Sequence, residues 1–195
     1  MSSSTPQHAV IILAAGASRR LGTPKQLALL DNETLLNRTL RVASSTQPTQ
    51  TLLLLGHNAD EIYATVNYQP VERLDCSDWH TGMSASLRLG IQHVSPRCAG
   101  ALVLLCDQPE LSASHLASML NAWQQYPDRA VASAYANTEG VPALLPKHWF
   151  ATILSVRGDQ GARDRLRSDP NVIRIDAPEL TQDVDVAGDL PADFA

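Results

Sequence analysis

The stretch HAVIILAAGASRRLGTPK, residues 8–25, decides the fold. Its first part is a continuous apolar run. Its second part carries Gly16 and Gly22, Arg19 and Arg20, and Lys25. An apolar run without alternation reads as a strand covered on both faces. Glycines placed directly after it let the backbone turn and bring its N–H groups close to a ligand. Guanidinium and ammonium groups then supply charge for an anion. Five residues separate Gly16 from Gly22, so the loop is not a Walker A loop, and the G-x-G-x-x-G spacing is absent too. A cradle with two cations, Arg20 and Lys25, suits a triphosphate better than a single carboxylate.

The same kind of run recurs. TLLLL (51–55) and ALVLLC (101–106) are also continuous, and RAVASAY (129–135), PALLP (142–146) and NVIRID (171–176) are weaker strand candidates. Helical periodicity fills the gaps. Residues 34–45 place Leu36, Leu40 and Ala43 on one face, and residues 112–125 place Leu116, Leu120 and Trp123 on one face behind Ser112 as N-cap. Residues 82–94 and 159–168 read as helices as well. Strand and helix alternating in this way predict a three-layer α/β/α, Rossmann-like fold on a mostly parallel, mixed sheet. The 195 residues fit a single domain, 1–195, with 1–7 as a loose N-terminal tail.

Composition narrows the partners. The formal charge of −5 argues against bulk binding of nucleic acid. Cys76, Cys98 and Cys106 are odd in number and lack C-x-x-C spacing, which fits a reduced compartment. No Lys or Arg precedes Arg19, and no apolar run could span a bilayer. The expectation is a cytoplasmic protein without a membrane partner. The six histidines show no metal-ligand spacing, and Trp79, Trp123 and Trp149 read as packing residues.

Several strings carry a resemblance. LAAGASRRLGTPKQL (13–27) resembles the loop L-A-A-G-x-x-x-R-x-G-x-x-K of nucleotidyltransferases of the molybdenum cofactor type. PKQL (24–27), CDQP (106–109) and GDQGAR (158–163) are similar to the cytidylyltransferase-like branch, and the likeness runs from about residue 8 to residue 190. It implies that Leu13, Ala14, Ala15, Gly16, Arg20, Gly22 and Lys25 wrap the triphosphate of an NTP. GMSASL (82–87) would lie beside the nucleobase, with Gly82, Ser84 and Ser86. The acceptor side would comprise GVPALLP (140–146), with Gly140 and Pro142, and the loop of Gly158, Asp159, Gly161 and Arg163. Asp107 and Asp185 would hold Mg²⁺. Independently of any resemblance, Asp107 ends an apolar strand, where open α/β sheets bind ligands. Val186-Ala187-Gly188 stands where the family carries Thr-Pro-Glu.

The implied reaction is nucleotidyl transfer, with Arg20, Lys25 and Asp107 as catalytic residues. Ala15 stands where the guanylyl-transferring relatives carry glycine, so the resemblance implies CTP as donor. It further implies the phosphate of molybdopterin (molybdenum cofactor) as acceptor and transient contact with a molybdoenzyme. Two other readings stay open at this point. One is transfer to a sugar or polyol phosphate, and the other is a non-catalytic accessory protein that carries nucleotide or cofactor.

Overall fold

The computed structural model describes residues 5–18, 22–136, 138–155 and 161–183. The strands are β1 (His8–Leu13), β2 (Leu29–Leu30), β3 (Glu33–Thr34), β4 (Gln50–Leu55), β5 (Glu72–Asp75), β6 (Gly100–Leu105), β7 (Val131–Tyr135), β8 (Thr138–Pro146) and β9 (Ile173–Asp176). The helices are α1 (Leu35–Ser44), α2 (Ala59–Tyr63), α3 (Met83–His93), α4 (Ala113–Gln125), α5 (Phe150–Ser155) and α6 (Gly161–Ser168). Seven strands form one sheet in the order β5-β4-β1-β6-β8-β7-β9, and β2 and β3 pair as a small hairpin. β8 runs antiparallel to both β6 and β7, while the other neighbours in the large sheet pair in parallel. The expected mixed, mostly parallel sheet is therefore the observed one.

The apolar runs explain the layers. Side chains alternate across a strand, so Val10 and Ile12 pack on one face and Ile11 and Leu13 on the other. The first face carries α1, α2 and α4 through Leu36, Leu40, Ile62, Leu116, Leu120 and Trp123. The second carries α3, α5 and α6 through Leu87, Ile91, Ile153 and Leu166. Each such leucine, fully withdrawn from water, contributes about 2 kcal/mol before the entropy of ordering is subtracted. Ser112 caps α4 as expected, accepting from the His115 backbone N–H at 3.2 Å.

The sheet's two edges are short and charged. On β5, Arg73 pairs with Asp75 and Asp60 at 2.7 Å each, and on β9, Arg174 pairs with Glu139 of β8 at 2.6 Å. No helix among the described residues is long and apolar enough to cross a membrane.

Strand order places the site. From β1 the chain steps outward to β4 and β5, then returns across β1 to β6. Connections leaving in opposite directions open a crevice at the carboxyl ends of β1 and β6. The glycine loop follows β1 and Asp107 follows β6, so both meet there.

Candidate active site

A cavity of about 380 Å³ occupies that crevice. Ala14, Ala15, Gly16 and Lys25 form the loop side of its wall, Asp107 and Cys106 come from the end of β6, and Gly82, Met83 and Ser86 come from the start of α3. Lys25 Nζ donates to Asp107 Oδ2 at 2.5 Å. Asp107 Oδ1 is buried and, among the described residues, has no hydrogen-bond partner. A buried carboxylate oxygen without a donor is costly. It is an available ligand for a hard cation such as Mg²⁺, so the residue fits the expected metal role. Burial, followed by the charge of Asp107, pushes the Cys106 thiol up to about 12. That direction favours the thiol over the nucleophilic thiolate.

Local backbone geometry shapes this cavity. Gly82, on its wall, sits at φ +116°, a conformation that favours glycine, and so does Gly22, off the wall, at φ +76°. Gly82 begins α3 without a side-chain cap, so the positive end of that helix lies on the cavity wall. Gly56 is needed for a different reason. A Cβ there would lie 2.6 Å from Trp79 Cγ and 2.7 Å from Ala15 O. Trp79 is thereby seated against the loop and lines the cavity, in keeping with its place just before the 80–90 segment.

A second cavity, of about 410 Å³, adjoins the first and shares Leu13, Met83 and Leu105 with it. Gly140, Val141, Ala143, Leu145, Ala162 and Leu166 contribute to an apolar wall, and Arg163 supplies its cation. Ser84 lines this second cavity and Ser86 the first, so the two serines expected beside one nucleobase are divided between the cavities. Pro142 is not on the wall. Its carbonyl accepts from the buried Ser133 Oγ at 2.9 Å, and Ser133 Oγ in turn lies 2.7 Å from His115 Nε2. The reason is a break in register: Ser133 opposes Gly140 while Ala132 opposes Ala143, which leaves Val141 and Pro142 bulged.

The bulge is tied from the other side by Gln108 and Tyr135. Gln108 Nε2 donates to Val141 O at 3.1 Å, and Tyr135 Oη donates to the same carbonyl at 2.8 Å. Burial, then the charge of Asp183, holds the Tyr135 hydroxyl above the ordinary tyrosine value. Asp183 is therefore within electrostatic reach of this corner, as are Arg163 and Asp107.

The structure thus brings together Leu13, Ala14, Ala15, Gly16, Lys25, Gly82, Ser86 and Asp107 in one cavity, and Gly140 and Arg163 in the next. Gly22 lies in the loop, and Gly161 opens α6. Arg20, Gly158, Asp159 and Asp185 lie outside the described residues, as do Val186, Ala187 and Gly188. Sequence reasoning missed Gln26. Gln26 carried a faint signal as the polar residue beside Lys25.

Comparison with known proteins follows the same lines. The chain is 30% identical over 169 residues to nicotine blue oxidoreductase of Paenarthrobacter nicotinovorans, covering 82% of this chain and 81% of that one. It is 28% identical to the purine catabolism protein PucB of Bacillus subtilis, covering 81% and 80%. It is 30% identical to a probable molybdenum cofactor guanylyltransferase of Rhodopirellula baltica, covering 75% and 70%. Rv0371c of Mycobacterium tuberculosis superposes with a TM-score of 0.83 at 28% identity, covering 95% and 96%. Its manganese complex superposes at 0.78 with 26% identity, covering 94% and 95%. Residues 10–172 match the model of the MobA-like NTP transferase domain. The glycine loop after β1 and the aspartate after β6 are framed by that match, and the chain belongs to the MobA-like NTP transferase family of nucleotidyltransferases.

Proposed function

We propose that the protein transfers the nucleoside monophosphate of CTP to the phosphate of molybdopterin, releasing pyrophosphate and giving the cytosine dinucleotide form of the cofactor. The observation that carries the reading is the pair of adjoining cavities with a common wall at Leu13, Met83 and Leu105. Two substrates seated in them would meet at that wall.

An oxygen of the acceptor phosphate forms a bond to the α-phosphorus, and the bond to the β-phosphate oxygen breaks, with pyrophosphate leaving in line. A phosphate monoester is largely ionised near neutral pH, so no general base is needed. Positioning and charge neutralisation supply the rate enhancement. Lys25 would steady the α-phosphate in its crowded transition state, and Arg20 would hold the phosphates that leave. Asp107, with Asp185 as the second ligand that the family resemblance implies, would hold Mg²⁺. The ion, when bound, supplies neutralisation of charge on the phosphates. The manganese complex of Rv0371c supports a divalent-ion site in a related chain.

Relatives at similar identity carry different names, an oxidoreductase and a purine catabolism protein among them, so the acceptor is argued from the cavity. A wall of Leu87, Val103, Val141, Ala143 and Leu145 with Arg163 as its cation suits a flat heterocycle bearing a phosphate. A sugar or polyol phosphate would leave its hydroxyls against apolar side chains. Ala15, packed with Cys76, Ala85 and Trp79 beside the first cavity, supports the choice of CTP.

The test is pyrophosphate release with Mg²⁺ and each of CTP, GTP, ATP and UTP, with and without molybdopterin. The expected result is release with CTP only when the cofactor is present. Release that requires a sugar or polyol phosphate instead would replace the acceptor. Tight CTP binding without any release would point to the accessory reading.

A further inference from the structure

Gln26 is 1% exposed, yet it is polar and stands beside the proposed phosphate cation. Its Nε2 donates to Ala14 O at 2.7 Å and to Gly16 O at 3.1 Å. Its Oε1 accepts from Ser18 Oγ at 3.5 Å, and Ser18 Oγ accepts from the Lys25 backbone N–H at 3.0 Å. One amide thus holds the start of the loop, its middle and, through Ser18, the backbone that carries the lysine.

A trans peptide points its N–H opposite to its C=O. Binding the carbonyls of Ala14 and Gly16 to the Gln26 amide therefore aims the N–H groups of Ala15 and Ala17 away from it. Among the described residues neither of these N–H groups has an acceptor. Left untied, the same two carbonyls could turn toward an arriving phosphate and repel it. A methionine of similar length would fill the space but hold neither carbonyl.

We infer that Gln26 is a positioning residue for nucleotide binding: it fixes the polarity of the loop, carbonyls inward and N–H groups free for the phosphates of the NTP. The inference rests on the nucleotide reading above and names how this chain builds that site. The amide does not touch the reacting atoms.

The test uses the full chain and measures binding of CTP and of inorganic pyrophosphate by calorimetry, for wild type, Gln26→Met and Gln26→Glu. For Gln26→Met the expected loss of affinity is about tenfold or more for both ligands, because two buried carbonyls lose their donor. In turnover assays KM for the nucleotide rises more than kcat falls. Gln26→Glu supplies a readout that a filler role would not move. Ionised, its carboxylate has no donor and faces two carbonyl oxygens, so its own pKa is pushed up. As pH falls the new carboxyl gains a proton and regains one donor, and its deficit relative to wild type narrows. Lys25, Asp107, His80 and Cys106, the charged and titratable groups on the same wall, are present in both proteins, so the ratio isolates residue 26. Affinity of Gln26→Met within about twofold of wild type, or a Gln26→Glu deficit unchanged across pH, overturns the inference. If Gln26→Met does not fold, Gln26→Glu carries the test alone. Wild type that binds neither ligand would sink the nucleotide reading itself, and the inference with it.

Discussion

The two cavities share a wall but are built from opposite materials. The first joins main chain to a charged pair: a loop tied down by one glutamine, a helix start without a cap, and the Lys25–Asp107 pair. The second is made of side chains, apolar along β6 and β8 and cationic at Arg163. A backbone cradle reads what every nucleotide has in common, its phosphates. A side-chain wall reads shape and can be altered one residue at a time. Under the proposed function, the shared chemistry belongs to the first cavity and acceptor choice to the second.

Three substitutions press on the contrast. Lys25→Ala should cut kcat about a hundredfold to a thousandfold, since a charge aimed at the transition state is lost. Nucleotide KM should change little, because the remaining loop still holds the phosphates. The reverse pattern, in steady-state pyrophosphate release, would move Lys25 from chemistry to binding. Arg163→Gln should raise the KM for the acceptor about tenfold through loss of one charge-assisted contact. KM for CTP should stay put. A matching rise for CTP would mean that the two cavities are not separate in function. Tyr135→Phe should have the smallest effect. Val141 O keeps the Gln108 donor, so the cost is about 1 kcal/mol in denaturant unfolding. Any kinetic change should fall on the acceptor side, because the hydroxyl steadies the bulge of β8.

Much of this was legible in the residues. VIIL, TLLLL and ALVLLC read as strands buried on both faces, and they form the parallel centre of the sheet as β1, β4 and β6. The reading weakened where pattern did. β5, ERLD, is four residues long with three of them charged, so a single leucine is all the apolar pattern that marks it. β8 begins at Thr138, four residues before the apolar string that announced it, because its first part pairs as an ordinary antiparallel ribbon with β7. In the site, Asp107 and Lys25 lie 82 positions apart and still meet, since a strand end and a loop motif each had a known place. Gln26 had no such signature, and Trp79 only its place just before the 80–90 segment. Their roles come from what lies behind them, a glycine without room for a Cβ and two carbonyls in need of a donor.

The charged rims of the sheet have a bearing on how this chain behaves in a crowd. Runs such as VIIL and ALVLLC are the kind of segment that stacks into insoluble ribbons when an edge offers a template. Here both are interior. A second molecule adding to either rim would meet Glu72, Arg73 and Asp75 on one side or Arg174 and Asp176 on the other. Each of those charges would have to leave water or find a new partner. The rims therefore act as gatekeepers against ordered self-association, and they do so with residues that take no part in either cavity.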